Sequence, residues 1–176
     1  MPRVTLVGYR GTGKSTVAAV LARRLGVPWV DADAVLEERI GSSIAALVAA
    51  RGEAAFRDLE DEVLREMLSS STGVVATGGG VVLRPENRRL IREQGRPVAW
   101  LTAPADVIRK RLAADPATAA RRPALAGRDP LDEVADALAA RAAFYQEVAD
   151  AAFDTAVDPP AAVAERIVAW LAEHPA

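Results

Sequence analysis

The sequence predicts a three-layer α/β fold in which a five-stranded parallel sheet is covered by helices on both faces. Short β-branched runs alternate with stretches of helical period, and the first run leads directly into a glycine-rich loop and a helix. Such alternation is typical of parallel strands joined by crossover helices. With 176 residues and 51% hydrophobic content, the chain is long enough for one good core, and we expect one domain over residues 1–176.

The predicted strands are short and apolar. They cover residues 4–7, 29–30, 74–76, 98–101 and 152–154. The last of them is the weakest and precedes a final helix from about Pro160, whose Val163, Ile167 and Leu171 fall on one helical face.

The loop after the first strand carries a phosphate-binding motif. Residues 8–15 read GYRGTGKS, which fits G-x-x-x-x-G-K-[ST] between a strand and a helix. The glycines let backbone N–H groups point at phosphate oxygens, and the start of the helix adds the positive end of its dipole. Lys14 can reach the β- and γ-phosphates, and Ser15 can ligate Mg²⁺. Only Lys14 and Lys110 are lysines among 22 basic residues, and a compact ammonium suits a tight phosphate cradle.

Two long interruptions break the alternation. The first, residues 33–72, reads as several helices with breaks near Gly41 and Gly52, and its length predicts a substrate-binding insertion. The second, residues 115–130, is either a mobile lid that brings Arg122 to a phosphate or a solvated surface connection. The core then comprises the remaining ranges, 1–32, 73–114 and 131–176.

An acidic pair leaves the second strand at the edge where open α/β sheets bind ligands. One carboxylate of Asp31 and Asp33 could face Mg²⁺ and the other a substrate hydroxyl. Asp33 could instead cap a helix beginning at Ala34, and capping and function are compatible.

The glycine triplet and two arginines leave alternatives open. Gly78, Gly79 and Gly80 follow the third strand, which suits either a tight turn or the close approach of a ligand to main-chain N–H groups. Arg57 could pair with Glu53 or Asp61 on an exposed helix face or form a buried fork for a carboxylate, and Arg141 could likewise face solvent or substrate.

Composition excludes several kinds of site. Cysteine is absent and the one histidine is His174, so thiolate chemistry and a histidine-centred metal site are not expected. A net charge of −2 without a basic footprint argues against nucleic acid as a partner. The first predicted strand begins near the first residue and no apolar run approaches a membrane span, so we expect a cytoplasmic protein without membrane contact.

The motifs occur in an order that resembles shikimate kinase over residues 4 to about 168. The matching elements are the phosphate loop, Asp31-x-Asp33, Gly52-Glu53-x-x-Phe56-Arg57, Gly78-Gly79-Gly80, Arg122-Pro123 and Arg141-x-x-x-Tyr145. The resemblance implies a P-loop NTPase fold of the nucleoside monophosphate kinase type. It also implies transfer of the ATP γ-phosphate to the 3-hydroxyl of shikimate, on the route to chorismate and the aromatic amino acids.

The resemblance also implies roles for individual residues. Asp33 would bind the attacking hydroxyl, and Lys14 and Arg122 would act on the transferring phosphate. Ser15 would bind Mg²⁺ directly, and Asp31 would bind it through water. Residues expected to bind ATP are Gly11, Thr12, Gly13, Lys14, Ser15, Thr16, Arg111 and Arg122. Arg111 is expected to lie against adenine, and the loop from Thr155 to Pro160 to complete that pocket.

The acceptor site implied by the resemblance uses Arg57 and Arg141 for the shikimate carboxylate and the backbone of Gly79 and Gly80. Val48 stands where the family commonly has phenylalanine, and the loop before Arg122 is longer than in compact members. We therefore expect an effect on substrate affinity and lid motion.

Two other functions remain as alternatives. A gluconate kinase shares the phosphate loop and an early acidic pair, whereas Arg57, Arg141 and the glycine triplet suit a ring acid. A nucleotide-binding regulator without transfer activity would not need Asp33, Lys14, Ser15 and Arg122 together. We expect a monomer, because no long apolar surface stripe stands out.

Overall fold

Five short strands form one parallel sheet in the computed structural model, which describes residues 1–114 and 134–174. The strands are β1 Val4–Val7, β2 Trp29–Asp31, β3 Val74–Ala76, β4 Val98–Thr102 and β5 Ala151–Asp154. Their order across the sheet is β2-β3-β1-β4-β5, and every neighbouring pair is parallel. The predicted five-stranded parallel α/β fold is confirmed.

Helices connect these strands. In the described ranges they are α1 Lys14–Leu25, α2 Ala32–Ile40, α3 Ile44–Ser70, α4 Pro85–Gln94, α5 Ala105–Ala114, α6 Val134–Val148 and α7 Pro160–Glu173, with a short 3-10 helix at Val81–Leu83. Within these ranges, each helix falls short of the combined length and apolarity that crossing a membrane requires.

The sheet buries a different group of side chains on each face. Leu6 on β1 and Phe153 on β5 pack with α1 and α7, and the predicted face of α7 does contribute Val163, Ile167 and Leu171. The opposite face carries Val75 and Val98 and is covered by α2, α3, α4 and α6. Alternation along each strand therefore supplies both layers of the core.

The long segment between β2 and β3 breaks at the two glycines singled out in the sequence. Gly41 takes a left-handed conformation and ends α2, with its N–H donating to the Glu37 carbonyl. Gly52 has φ 82° and ψ 168° and kinks α3 in the middle. The left-handed conformation of Gly41 strongly favours glycine, and the conformation of Gly52 is essentially restricted to it.

The start of α2 excludes one of the alternatives for Asp33, that of capping this helix. The side chain of Asp31, not that of Asp33, caps this helix, and the helix begins at Ala32, two residues earlier than Ala34. Asp31 Oδ1 accepts from the N–H groups of Asp33 at 2.9 Å and Ala34 at 3.2 Å. Asp33 therefore lies inside the first turn, and its carboxylate is not the cap.

All five strands end at the same edge of the sheet. The phosphate loop follows central β1, Asp31 ends β2, the glycine triplet follows β3 after Thr77, and Thr155 follows β5. Ligand-binding groups separated widely in sequence are thereby collected at the carboxyl ends of parallel strands.

Central β1 should be the most sensitive part of the core. We expect Leu6→Ala to lower the free energy of unfolding by about 2–5 kcal/mol, because Leu6 is fully buried between the sheet and α1. Urea denaturation measures this loss. The matched control is Val157→Ala, at a side chain that is 93% exposed, which should change stability by less than about 0.5 kcal/mol. Similar losses in both variants would contradict this account of the core.

Candidate active site

A cleft of about 560 Å³ opens at the carboxyl edge of the sheet. Most of the described residues that the sequence assigned to nucleotide and hydroxyl binding line it. Among its lining residues are Arg10, Gly11, Thr12, Gly13, Lys14, Ser15, Thr16, Asp31, Asp33, Gly79, Arg111, Thr155, Asp158 and Pro160. Its two ends are formed by the loop around Thr155 and by Gly79 of the glycine triplet, with the phosphate loop between them. The predicted acceptor residues Gly80, Arg57 and Arg141 are not among its lining residues.

The phosphate loop has the backbone that the motif predicts. Gly8, Gly11 and Gly13 all have positive φ, and a Cβ at Gly8 would lie 2.4 Å from the Leu101 carbonyl oxygen. Thr12 Oγ1 closes the turn by donating to the Tyr9 carbonyl at 2.7 Å. Helix α1 has Gly13 at its N-cap and no side-chain capping bond, so its first N–H groups remain available to an anion.

Lys14 is held inside this loop. Its side chain is only 8% exposed, and Nζ donates to the carbonyl oxygens of Gly8 at 2.7 Å and Tyr9 at 3.1 Å. The ammonium therefore stands where the loop folds around a phosphate, as the motif requires.

Ser15 and Asp31 form the part of the cleft that fits a divalent cation. Ser15 Oγ donates to Asp31 Oδ2 at 2.5 Å, while Asp31 Oδ1 is engaged at the start of α2. Among the described residues, no group of three or more histidine, cysteine, aspartate or glutamate side chains is arranged to hold a metal ion. Mg²⁺ is commonly held by one or two protein oxygens together with waters and substrate phosphates, so a hydroxyl beside a fixed carboxylate fits this ion.

Asp33 lies beside the glycine triplet. It is half-buried in the first turn of α2, and its Oδ1 is 3.4 Å from the point that a Cβ on Gly78 would occupy. Glu60 Oε1 lies 2.3 Å from that same point. Two carboxylates thus approach one glycine, and Asp33 is the one that lines the cleft.

The Arg57 guanidinium is buried, as one sequence alternative proposed, and it pairs with carboxylates of its own helix, as the other proposed. Each alternative therefore holds in part. Nη1 donates to Glu60 Oε2 at 2.6 Å and Nη2 to Glu53 Oε1 at 3.1 Å. Asp61, the other predicted partner, instead binds Arg84 and Asn87. Burial favours loss of the Arg57 proton, but Glu60 and Glu53 outweigh it and raise the pKa of Arg57 above its ordinary value.

Sequence reasoning missed Glu60. This carboxylate is only 4% exposed and is the closest partner of Arg57. The signal was present as an i,i+3 spacing of opposite charges, but many such pairs are solvent-exposed and weak. Only the position of α3 against the sheet edge buries this one.

The glycine triplet gives room to neighbouring protein groups. A Cβ at Gly79 would lie 2.9 Å from the Arg10 backbone nitrogen, and a Cβ at Gly80 would lie 2.1 Å from Arg57 Nη1. The triplet is therefore more than a tight turn, because it lets the phosphate loop and α3 close against the end of β3. A role for Gly79 and Gly80 in ligand contacts stays a prediction.

Helix α6 also contacts the glycine triplet. Tyr145 Oη donates to the Gly79 carbonyl oxygen at 2.6 Å, and Arg141 Nη1 donates to the same oxygen over 3.4 Å. The Arg141 guanidinium also lies over the Tyr9 ring, 5.2 Å from its centroid. Arg141 is half-buried and contacts the triplet at Gly79, whereas Arg57 approaches it at Gly80.

Arg111 and Thr155 form the far end of the cleft. Arg111 Nη1 donates to Thr155 Oγ1 at 3.0 Å and to the Gly11 carbonyl at 3.3 Å. Thr155 Oγ1 is 2.9 Å from the Thr12 carbonyl and 3.1 Å from that of Thr102. These contacts join the predicted adenine end to the phosphate loop, whereas contact of Arg111 with adenine stays a prediction.

Two expectations concern the edges of the site. Val48 is half-buried and packs against the cluster that contains Phe56, and its effect on acceptor affinity is still a prediction. Arg122 and the predicted lid, residues 115–130, lie outside the described residues.

These features define a class of protein. A glycine-rich loop with a buried lysine, placed between the central parallel strand and a helix, is the binding site of a phosphate-loop protein for a nucleoside triphosphate. A carboxylate beside that loop is suited to orienting a hydroxyl acceptor. The family model for shikimate kinase matches residues 10–172, and the chain belongs to the shikimate kinase family of enzymes.

Individual relatives agree with this assignment. The chain is 50% identical to the shikimate kinase of Nitratidesulfovibrio vulgaris, over 84% of this chain and 83% of that protein. It is 42% identical to shikimate kinase 2 of Yersinia enterocolitica, over 97% and 96% of the two chains. The structure of Acinetobacter baumannii shikimate kinase in complex with shikimate superposes with a TM-score of 0.90 at 31% identity, covering 98% of this chain and 93% of that one.

A gluconokinase also shares the fold. The structure from Sinorhizobium meliloti has a TM-score of 0.59 at 17% identity, covering 97% of this chain and 91% of that one. Such a likeness concerns the fold alone.

The buried pair of Arg57 and Glu60 generates a stability prediction. We expect Arg57→Met to lower the free energy of unfolding by about 3–5 kcal/mol, because Glu60 loses the partner of its buried charge. Adding Glu60→Gln should recover most of that loss by removing the charge. Urea denaturation of the single and double variants checks this, with Arg39→Met as the control because its pairs with Glu62 and Glu66 lie at the surface. A double variant no more stable than Arg57→Met would contradict it.

Proposed function

We propose that this protein transfers the γ-phosphoryl group of ATP to the 3-hydroxyl of shikimate, producing shikimate 3-phosphate and ADP. The carrying observation is that Asp33 and Arg57 both border the glycine triplet, at one end of the cleft that holds Lys14 and Ser15. A carboxylate that can accept the proton of a hydroxyl and a guanidinium that can bind a carboxylate thus lie beside the phosphate loop. A ring acid carrying both groups fits this arrangement.

In the proposed reaction, N–H groups of the phosphate loop and of the first turn of α1 bind the β- and γ-phosphates. Lys14 exchanges its contacts with the Gly8 and Tyr9 carbonyls for phosphate oxygens as ATP enters. Ser15 and Asp31 would hold Mg²⁺, Asp31 through water. When bound, this ion supplies positive charge to the phosphate oxygens during transfer.

Asp33 orients the acceptor. Its carboxylate accepts the proton of the 3-hydroxyl as the oxygen of that group bonds to the γ-phosphorus, and the bond from phosphorus to the β-phosphate oxygen breaks to release ADP. Arg122, outside the described residues, is proposed to meet the transferring phosphoryl group. Segment 33–72 is proposed as the substrate-binding insertion and segment 115–130 as the lid.

Arg57 and Arg141, which contact the triplet at Gly80 and Gly79 respectively, are proposed to bind the shikimate carboxylate. Glu60 and Glu53 use two of the N–H groups of Arg57, and a guanidinium carries five donors in a fixed plane. The ion pairs fix that plane before the ligand arrives, which lowers the entropy lost on binding.

The proposed enzyme acts in the cytoplasm as a monomer. Large hydrophobic side chains exposed in the described ranges are Met1, Trp29 and Val157. They lie far apart in sequence, on the first residue, an edge strand and a loop, and do not suggest an apolar interface.

The test of this function is release of ADP with ATP and Mg²⁺ in the presence of different acceptors. Shikimate should support turnover, whereas gluconate and the methyl ester of shikimate should not, because Arg57 and Arg141 need a ring carboxylate. Turnover with gluconate would favour a different metabolite kinase. Slow release of ADP at the same rate with and without an acceptor would support only the nucleotide-binding part of the proposal.

Asp33→Asn should lower kcat by about 10²-fold or more, because the amide cannot accept the hydroxyl proton. Urea denaturation should show nearly unchanged stability, since the cap of α2 belongs to Asp31. Steady-state kinetics with shikimate check the effect, and near-normal turnover would remove Asp33 from the mechanism.

Asp31→Asn separates capping from ion binding at one position. Asparagine caps helices about as well as aspartate, so stability should change by less than about 0.5 kcal/mol. The lost charge should raise the Mg²⁺ concentration for half-maximal activity by about tenfold, at saturating ATP and shikimate. The control Ser43→Ala removes the cap of α3 and should lower stability without changing the Mg²⁺ requirement. An unchanged Mg²⁺ requirement in Asp31→Asn would exclude Asp31 from the ion site.

A further inference from the structure

Tyr145 is fixed at both ends although the mechanism above gives it no role. Its ring is 1% exposed and stacks on Trp100, with centroids 5.7 Å apart and planes 19° from parallel. Its hydroxyl donates to the Gly79 carbonyl at 2.6 Å. A buried phenol usually finds one hydrogen-bond partner, and here that partner is the middle residue of the glycine triplet.

The triplet needs such an anchor more than an ordinary segment does. Glycine has the largest backbone freedom of all residues, and three in succession carry no side chains that packing could lock. The carbonyl oxygens of Gly78 and Gly80 accept from the N–H groups of Val81, over 3.4 Å, and of Leu83, at 3.0 Å, in the following 3-10 turn. The carbonyl between them is the one that Tyr145 holds.

Holding this carbonyl also orients the next amide. The peptide between Gly79 and Gly80 is trans and planar, so the Gly79 C=O and the Gly80 N–H point in opposite directions. A hydrogen bond that pulls the carbonyl toward α6 therefore directs the Gly80 N–H away from α6. Gly79 lines the cleft and Gly80 does not, so this peptide lies at the margin of the cleft wall.

We propose that Tyr145 is a positioning residue for the acceptor: by holding the Gly79 carbonyl, it sets the Gly80 N–H to donate to an oxygen of the bound ring acid. This inference rests on the proposed function and adds a residue that acts on the substrate through the backbone. It concerns the acceptor end of the cleft only, since nucleotide contacts lie on the phosphate loop and around Thr155.

Arg141 provides a second reason to expect an effect on the acceptor. It stands one turn before Tyr145 on α6 and reaches the same carbonyl over 3.4 Å. If the phenol were lost, the long bond from Arg141 would be the remaining side-chain donor to this buried carbonyl, and the guanidinium would move closer to it. The guanidinium would then be drawn from the position proposed for the carboxylate. Both consequences weaken binding of the ring acid.

The phenol remains a donor throughout the working pH range. Burial raises the pKa of Tyr145 well above its ordinary value, although the charge of Arg141 and a hydrogen bond with it act in the opposite direction. The contribution of the hydroxyl to acceptor binding should therefore be the same between about pH 6 and pH 9.

The direct test is Tyr145→Phe, which removes the hydroxyl and retains the stacked ring. We expect the KM and the calorimetric Kd for shikimate to rise about tenfold, with the KM for ATP and kcat at saturating shikimate within about twofold of the wild type. In ¹⁵N spectra, the Gly80 amide should shift on addition of shikimate to the wild type and shift much less in the variant. Incorporation of p-aminophenylalanine at position 145, which restores a donor, should recover affinity.

The matched control is Asn87→Ala. Asn87 is 2% exposed, and its side-chain amide donates to Asp61 at 2.6 Å, so this variant also loses a well-buried hydrogen bond. It should lower stability while leaving the KM for shikimate unchanged. The control thus separates a general loosening of the fold from an effect on the Gly79–Gly80 peptide.

Three outcomes overturn the inference. A normal KM for shikimate in Tyr145→Phe would show that the hydroxyl does not act on the acceptor. Parallel rises in the KM values for ATP and shikimate, with lowered stability, would reduce Tyr145 to a structural residue. A wild-type enzyme that does not phosphorylate shikimate would overturn the proposed function and this inference with it, and only this outcome is visible without any variant.

Discussion

The absence of side chains at residues 78–80 is the constraint on which the arrangement of the cleft depends. Three separate elements close on this stretch: the phosphate loop through the Arg10 backbone, α3 through Arg57 and Glu60, and α6 through Tyr145. A single Cβ at Gly80 would occupy the space of the Arg57 guanidinium. The phosphate loop and the residues proposed to bind the acceptor therefore lie side by side, because the chain between them is bare backbone.

Charge is arranged differently beside the glycine triplet and at the phosphate loop. Beside the triplet, Arg57 is already paired with two carboxylates of its own helix, so the fold itself stabilises its orientation. At the phosphate loop, positive charge comes from Lys14 and from uncapped helix N–H groups, with no acidic side chain in the first turn of α1. The first arrangement favours selectivity through fixed geometry, and the second favours attraction of a polyanion.

Much of the fold could be predicted because its signals are local. The phosphate motif requires a strand before it and a helix after it, and glycines at 41 and 52 end or kink helices through backbone conformations that few other residues adopt. The alternative that Asp33 caps α2 fails, because Asp31 at the end of β2 takes that role and the helix begins at Ala32 rather than Ala34. Local pattern fixes the kind of element more reliably than its boundary.

The site was harder to predict where function depends on burial. Glu60 reads as one of many acidic residues on a charged helix, and nothing local distinguishes it from Glu62 or Glu66, which pair at the surface. Its burial follows from the packing of α3 against a stretch of glycines that begins 18 residues later in the chain. Tyr145 and Thr155 likewise bond to backbone carbonyls that are distant in sequence.

The position of Lys14 has a further consequence for the energetics of nucleotide capture. Its ammonium is already largely withdrawn from water and bonded to two carbonyl oxygens of the loop before any ligand arrives. Most of the cost of dehydrating this cation is therefore incurred when the chain folds, and in the proposed binding of ATP its carbonyl contacts are exchanged for phosphate oxygens. Burying this cation before the ligand binds lowers the stability of the folded protein and at the same time favours binding of a polyanion. The free energy of unfolding and the affinity for the phosphoryl donor are therefore linked.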